Sequence, residues 1–333
     1  MLNLVDLIKS FLSVGSVAGD ESALAGHIAE LARPCADGIT TDRLGNLIIH
    51  KQGTGPRVML CAHMDTTGLM VTHIDDKGFV RFANVGGLSP RDVMGAPVVF
   101  VGGARGVVCF EEKTELKDLK LSHGYIDIGA DSRDKAAATV KVGDRARWAH
   151  QPFETGGTLV SPYLDDYAGC AILLQTLAHA EKTENDLYFV FSAQEEVGLR
   201  GARAAAFDIR PDWALAVDVT DTGDYPEPKR KNECRLGGGA AIKLMDTSVM
   251  CHPTVVRLLE DSARAAGIPY QYEVMEDGGT DAGAISLSRG GVPSGGVSIP
   301  TRYIHSPMEM AALADMEACA GLLAEAVKGT ISV

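Results

Sequence analysis

The chain has 333 residues, of which 46% are hydrophobic and 23% are charged, as is ordinary for a globular protein of about two domains. Its formal net charge of −13 argues against a nucleic-acid partner, because phosphate binding requires a basic surface. Seven scattered cysteines without a CxxC pair predict free thiols rather than a disulfide framework. No apolar run reaches the roughly 18 residues that a membrane span needs, so we expect a cytoplasmic protein without a membrane partner.

The two ends of the chain alternate predicted strands and helices. Apolar residues at helical spacing predict an amphipathic first helix, and Asp20 is a plausible N-cap for a second helix that ends near Ala36. The runs Arg57–Cys61, Leu187–Phe191 and Trp213–Thr220 are apolar on both faces, which is typical of buried parallel strands. These patterns predict an α/β fold with a mixed, largely parallel central sheet flanked by helices.

The middle of the chain has a different texture. Between about Leu69 and Ala149, short strand patterns are separated by turn signals, and their spacing of about 8–12 residues predicts a small β-barrel or sandwich. One short helix is predicted near Ser132–Val140. We interpret residues 68–156 as an inserted β-rich domain, most simply a small barrel, within a discontinuous α/β domain of residues 1–67 and 157–333.

Acidic and histidine side chains gather where predicted strands end. The six candidates are His63, Asp165, Glu195, Glu196, Asp218 and His305. In open α/β sheets this edge is where sites assemble. Two histidines, two terminal carboxylates and one bridging carboxylate, Asp165, would give each of two divalent cations three protein ligands. This mixture of oxygen and nitrogen ligands suits Zn²⁺, Co²⁺ or Mn²⁺.

The adjacent acids Glu195 and Glu196 are expected to have different roles, because neighbouring side chains at a strand end point to opposite sides. One could hold a cation while the other takes a proton from the water that the cation acidifies. The alternative is a solvated pair that opens a loop. For the pair Asp165-Asp166 we predict a ligand at the first position and a helix cap or supporting residue at the second.

Three further residues have open interpretations. Asp65 lies two positions after His63 in an extended segment, where its carboxylate could fix the imidazole tautomer. Thr280 and Asp281 fit the first turn of a helix, and that explanation accounts for them about as well as a substrate-binding role does.

Six stretches of the chain form recognisable motifs: HMDTTGLMVTHIDDKGF, the LDD-x-x-G-C stretch, AQEEVGLRGA, VDVTDT, GGTDAGAI and RYIHSPMEM. They resemble the co-catalytic zinc or cobalt aminopeptidases of the tetrahedral-aminopeptidase and glutamyl-aminopeptidase family, some of whose members have been labelled cellulases. The resemblance implies an α/β catalytic domain, a β-rich insert used in assembly, and dimers that build into tetrahedral dodecamers.

Carried over by motif, the resemblance also implies a role for each candidate. His63 and Asp218 would hold one metal, and Glu196 and His305 the other. Asp165 would bridge the two metals. Glu195 would be the general base, and Asp65 would support His63.

The chain departs from the family pattern at two places. Tyr167 stands where relatives often have arginine, and the segment Val107–Leu121 lacks an expected proline-rich, histidine-containing loop. Neither departure touches a predicted ligand, but both could change substrate preference or assembly.

These observations predict hydrolysis of the N-terminal residue from short peptides. The alternative is cleavage of another amide, such as a dipeptide or an N-acyl amino acid, by the same dinuclear site. A glycosidase is disfavoured because only two tryptophans could line a sugar cleft and both histidines would be unexplained. A purely structural zinc site is disfavoured because such sites are usually sulfur-rich, and no cysteine joins the set.

Overall fold

The structure, a computed structural model, describes residues 3–180, 183–228 and 233–331. The strands of this part are β1 (Gly38–Thr41), β2 (Leu47–Lys51), β3 (Arg57–His63), β4 (Gly68–Ile74), β5 (Val80–Val85), β6 (Pro97–Phe100), β7 (Arg105–Phe110), β8 (Gly124–Asp127), β9 (Arg145–Trp148), β10 (Phe153–Thr155), β11 (Thr158–Ser161), β12 (Asp186–Ser192), β13 (Trp213–Asp221), β14 (Ala240–Met245), β15 (Tyr270–Val274), β16 (Ser294–Arg302) and β17 (Glu309–Ala312). Its α-helices are α1 (Leu4–Val14), α2 (Ser22–Ala32), α3 (Pro90–Val93), α4 (Arg133–Ala137), α5 (Leu164–His179), α6 (Arg200–Ile209), α7 (Pro253–Ala266), α8 (Asp281–Ser286) and α9 (Leu313–Ala326).

A mixed sheet of eleven strands, counted over the described residues, forms the frame of the fold. Its central strands β12, β3, β13 and β16 are mutually parallel, so their carboxyl ends meet at one edge. Antiparallel strands extend the sheet on both sides, with β2 and β1 beyond β12 and with β17, β11 and β10 beyond β16. The predicted α/β class with a central sheet flanked by helices is confirmed.

Helices cover both faces of the sheet because its central strands are apolar on both faces. In β3, Val58 and Leu60 pack into one core, whereas Met59 and Cys61 pack into another. Helices α5, α7 and α9 contribute to the first core, and α6 and α8 contribute to the second. Within the described residues, no helix is long and apolar enough to cross a bilayer.

The six strands β4 to β9 close into an antiparallel barrel. Of the two arrangements predicted from the sequence, a barrel or a sandwich, the structure therefore has the barrel. The barrel is tied to the sheet domain by hydrogen bonds at β9. Arg147 donates to the carbonyl of Leu12 at 2.9 Å, and the Trp148 amide donates to the hydroxyl of Tyr163 at 2.6 Å.

Local predictions failed where tertiary contacts decide. Helix α2 begins at Ser22 rather than after Asp20, because the Glu21 carboxylate accepts hydrogen bonds from the Gly19 and Gln194 amides and so ties this turn to the loop after β12. Strand β17 was not predicted, since its sequence EMAA contains good helix formers and only its pairing with β11 and β16 makes it a strand.

Candidate metal centre

The sheet brings all six strand-end candidates together at its carboxyl edge. His63 is the last residue of β3, Asp218 lies near the end of β13, and His305 follows β16. The Glu195-Glu196 pair follows β12. Asp165 enters from the start of α5, where its dihedral angles are not yet helical.

Five of these side chains form two groups of three potential ligands that share Asp165. The first group contains His63, Asp165 and Asp218, and the second contains Asp165, Glu196 and His305. Within each group the potential ligand atoms all lie within 4.8 Å of one another. We call them the first and the second triad.

Asp165 offers one carboxylate oxygen to each triad. Its Oδ1 lies 2.9 Å from Nε2 of His63, and its Oδ2 lies 3.1 Å from Nε2 of His305. The first triad is completed by Asp218, whose Oδ1 is 3.7 Å from the same nitrogen of His63. The second is completed by Glu196, whose Oε2 is 3.3 Å from Nε2 of His305. Asp165 is therefore the residue that the two triads have in common.

The residue types and spacing of each triad fit a divalent cation. Two ligands that each lie about 2.0–2.1 Å from a tetrahedral zinc ion are about 3.3 Å apart, close to the separations within the triads. Oε1 of Glu196 is buried and has no hydrogen-bond partner in the described part of the chain. A buried carboxylate oxygen is normally satisfied by a donor or a cation.

The electrostatics also favour bound cations, because buried carboxylates outnumber imidazoles. Burial raises the pKa of the Glu195 carboxyl well above its ordinary value, and burial raises the pKa of Asp218 to about 6. Burial alone would lower the pKa of His63, but Glu195 and Asp165 outweigh it and raise that pKa well above its usual range. These shifts arise because several acids are buried close together, and a divalent cation would stabilise the ionised forms of their carboxylates.

Asp65 makes contacts that differ from the predicted ones. The imidazole Nδ1 of His63 lies 2.9 Å from the backbone carbonyl of Asp65, and the nearer carboxylate oxygen is 3.8 Å away. The carboxylate instead accepts hydrogen bonds from the backbone amides of Glu195 at 2.9 Å and Glu196 at 3.1 Å. Asp65 thus contacts His63 through its main chain and the glutamate pair through its side chain.

Asp166 caps a helix and also supports His63, which are the two roles considered for it from the sequence. Its Oδ1 accepts a hydrogen bond from the Gly169 amide at 3.0 Å, a bond typical of a helix cap. Its Oδ2 accepts from the backbone amide of His63 at 3.2 Å. It belongs to neither triad.

The adjacent residues Thr280 and Asp281 have different hydrogen-bond partners. The hydroxyl of Thr280 donates to Asp246 at 3.1 Å, and Thr280 makes no side-chain cap bond to α8. Asp281 accepts hydrogen bonds from Ser192 and Cys61, and its charge helps to raise the pKa of Glu195. Asp281 therefore lies beside the centre.

The departure at Tyr167 lies in the core. Tyr167 is fully buried, and its hydroxyl is 2.9 Å from that of Ser16, which in turn donates to the carbonyl of Met64 beside His63. From the sequence, Arg302 could pair equally well with a neighbouring acid or with an acidic substrate. In the structure it pairs with Asp224 through two hydrogen bonds, at 2.7 and 2.8 Å.

Two features of the centre escaped sequence reasoning. Glu309 accepts backbone hydrogen bonds from Asp165 and His305, although it lies in the RYIHSPMEM stretch that supplied His305. The barrel also reaches the second triad, because a Cβ added at Gly86 would lie 3.1 Å from Glu196 and one at Gly87 would lie 3.2 Å from His305. The Gly-Gly pair after β5 was the available signal.

Comparison with known proteins identifies the family. The pattern of the M42 glutamyl aminopeptidases matches residues 45–322. A relative from Acetivibrio thermocellus is 50% identical over 326 residues, which cover 98% of each chain.

The solved aminopeptidase APDkam598 from the archaeon Desulfurococcus kamchatkensis matches with a TM-score of 0.93 at 37% identity, covering 98% of this chain and 94% of that one. The TET1 peptidase of Pyrococcus horikoshii, described as able to assemble into a tetrahedron or a large octahedral shell, matches with a TM-score of 0.86 at 30% identity, covering 99% of this chain and 100% of that one. The protein belongs to the M42 glutamyl aminopeptidase family, and it is a peptide hydrolase.

Proposed function

We propose that the protein is a dinuclear metallo-aminopeptidase that removes N-terminal residues from short peptides. The observation that carries this proposal is the pair of triads that share Asp165. His63 and Asp218 would hold one divalent ion, Glu196 and His305 the other, and Asp165 both. The ligand set suits Zn²⁺ or Co²⁺ best, with Mn²⁺ as a further candidate.

When bound, the two ions would acidify a water molecule and polarise the scissile carbonyl. We assign the proton transfer to Glu195. Its Oε2 lies 4.0 Å from Nε2 of His63, so it is beside the triads without belonging to either. Burial raises its pKa well above its ordinary value, which favours a group that must both accept and return a proton. Glu195 accepts the proton of the attacking water and returns it to the leaving amine.

The Asp65 side chain supports this chemistry by binding the main-chain amides of the two glutamates. By accepting from the amides of both glutamates, its carboxylate fixes the direction in which Glu195 and Glu196 leave the strand end. The two adjacent acids can then keep separate roles, with Glu195 as base and Glu196 as ligand.

A free N-terminus suits a dinuclear centre better than an acylated one does. The α-amino group of a peptide has a pKa of about 8, so its neutral form has a nitrogen lone pair that can bind one of the cations, whereas the nitrogen of an N-acyl group is an amide and a poor ligand. This argument supports an aminopeptidase over a hydrolase of N-acyl amino acids.

The substitution Glu195→Gln tests the assignment of the base. The variant should retain two metal ions per chain and should lose roughly 10²- to 10⁴-fold in kcat on an aminoacyl-p-nitroanilide. Metal content is measured on the same preparation, so that loss of metal cannot pass for loss of the base. Near-normal turnover by the variant with both ions present would contradict the assignment of Glu195 as the base. A separate comparison on the unmodified protein tests the substrate class: faster cleavage of N-acetylated than of free substrates would indicate a hydrolase of N-acyl amino acids.

We also propose that the protein forms dimers that assemble into a tetrahedral dodecamer, with the inserted barrel as an assembly element. The proposal is supported by the likeness to the Pyrococcus horikoshii peptidase, whose assembly into a tetrahedron is described. Light scattering should give a mass of about twelve chains, and a monomeric mass at micromolar concentration would contradict the proposal.

A further inference from the structure

Glu309 is a buried acid beside the metal centre that belongs to neither triad. It is the first residue of β17, and only 2% of its surface is exposed. Its Oε1 accepts a hydrogen bond from the backbone amide of His305 at 2.9 Å. Its Oε2 accepts one from the backbone amide of Asp165, also at 2.9 Å. One carboxylate therefore joins the main chains of two potential ligands.

Regular secondary structure does not fix either of these two main-chain positions. His305 has a φ of +63°, in the left-handed region that is uncommon for residues with a side chain and that belongs to neither regular helix nor strand. Asp165 has a φ of −80° and a ψ of 101° at the irregular start of α5. Hydrogen bonds from amides to a carboxylate are strong because the acceptor is charged. Glu309 is thus the group that fixes both positions to a sheet strand.

Other buried acids around the centre use the same device. The Asp65 carboxylate accepts from the amides of Glu195 and Glu196, and Asp166 accepts from the amide of His63. Glu309 differs from them in the residues that it holds. Asp165 and His305 are both members of the second triad, and only Asp165 is also a member of the first.

We propose that Glu309 is a positioning residue that sets the geometry of the second triad by holding the backbones of Asp165 and His305. The inference rests on the proposed dinuclear centre. It implies that the two cations depend on Glu309 unequally, since Glu309 holds two of three ligands in the second triad and one of three in the first.

The substitution Glu309→Gln tests this role. Glutamine has nearly the same shape, but its amide group would face one backbone N–H with another donor, so at least one of the two hydrogen bonds is lost. Chelator-stripped protein is titrated with Co²⁺ by calorimetry and by visible absorption. We expect one of the two equivalents to bind about 10- to 100-fold more weakly than in the unmodified protein, and the other to change much less.

Asp315 provides a matched control. It is 1% exposed and likewise accepts two backbone hydrogen bonds, from Gly237 at 2.7 Å and from Gly239 at 2.8 Å, but it holds no residue of either triad. Asp315→Asn removes the same kind of interaction elsewhere in the fold. It should lower thermal stability to a similar extent and leave both Co²⁺ affinities unchanged.

The outcomes separate the inference from the proposed function. Two unchanged Co²⁺ affinities in Glu309→Gln, or equal weakening of both, would overturn the positioning role while leaving the dinuclear centre intact. Binding of fewer than two Co²⁺ ions by the unmodified protein would overturn the centre and the inference together.

A measurement on the unmodified protein covers the case in which Glu309→Gln does not fold. Hydrogen exchange of the metal-free protein should show that the amides of Asp165 and His305 are protected, because Glu309 holds them without metal. Rapid exchange of both amides would overturn the inference.

Discussion

The barrel touches the metal centre through Gly87, and the substitution Gly87→Ala tests whether this contact matters. An added Cβ would lie 3.2 Å from Nδ1 and 3.5 Å from Cε1 of His305. Because ordinary contacts with carbon begin near 3.5 Å, His305 or the loop must move by about 0.3–0.5 Å. A misplacement of 1 Å can cost about 100-fold in rate, so this shift should lower kcat/KM by about 3- to 10-fold.

The assay compares Gly87→Ala with Gly102→Ala, a substitution at a turn of the same barrel where an added Cβ meets nothing within 4 Å. Both variants are measured at saturating metal on the aminoacyl-p-nitroanilide that the unmodified protein cleaves fastest. Gly102→Ala should stay within about twofold of the unmodified protein, since surface substitutions without contacts have small effects. Equal kcat/KM values for the two variants would refute the reasoning that the barrel loop constrains His305.

Two further predictions concern stability. Lys243 is 1% exposed and pairs with the buried acids Glu273 and Asp246, so Lys243→Met should lower the free energy of unfolding by about 3–5 kcal/mol in urea titrations. Arg33→Ala, which breaks an exposed ion pair with Glu30, should leave the free energy of unfolding nearly unchanged because solvent screens that pair. Similar losses in the two variants would contradict this contrast. The hydrogen bond from Arg302 lowers the pKa of Asp224 from 3.8 to about 2, so its stabilising effect is present above about pH 4 and is lost as the pH falls through 2. The stability difference between the unmodified protein and Asp224→Asn, about 1–2 kcal/mol at pH 6 given the partial exposure of the pair, should therefore shrink between pH 4 and pH 2, and a difference independent of pH would argue against the ion pair as its source.

The sequence sufficed to predict the strands that carry the centre. Strands β3, β12 and β13 are apolar on both faces, and their parallel arrangement follows from the alternation with helices. Since the ends of parallel strands share one edge, their acids and histidines could be expected to meet there. The closure of the barrel was left open, because it depends on pairings between strands distant in the chain.

The support of the centre was less predictable than its candidate ligands. The spacing of His63 and Asp65 suggested that the carboxylate meets the imidazole, but it turns to the Glu195 and Glu196 amides, which a turn after another strand brings within reach. Glu309 could not be singled out because its partners lie in a helix start and a loop that meet only in the folded chain. Contacts to backbone amides leave no side-chain pattern in the sequence.

The most direct test of the central claim combines metal counting with peptidase activity. Chelator-stripped protein is supplied with Zn²⁺, Co²⁺ or Mn²⁺ and assayed on a panel of aminoacyl-p-nitroanilides and their N-acetylated forms. The dinuclear aminopeptidase predicts that release of p-nitroaniline returns as bound metal approaches two ions per chain and that N-acetylation abolishes it. Binding of two ions without cleavage of any free-amine substrate would contradict the proposed function.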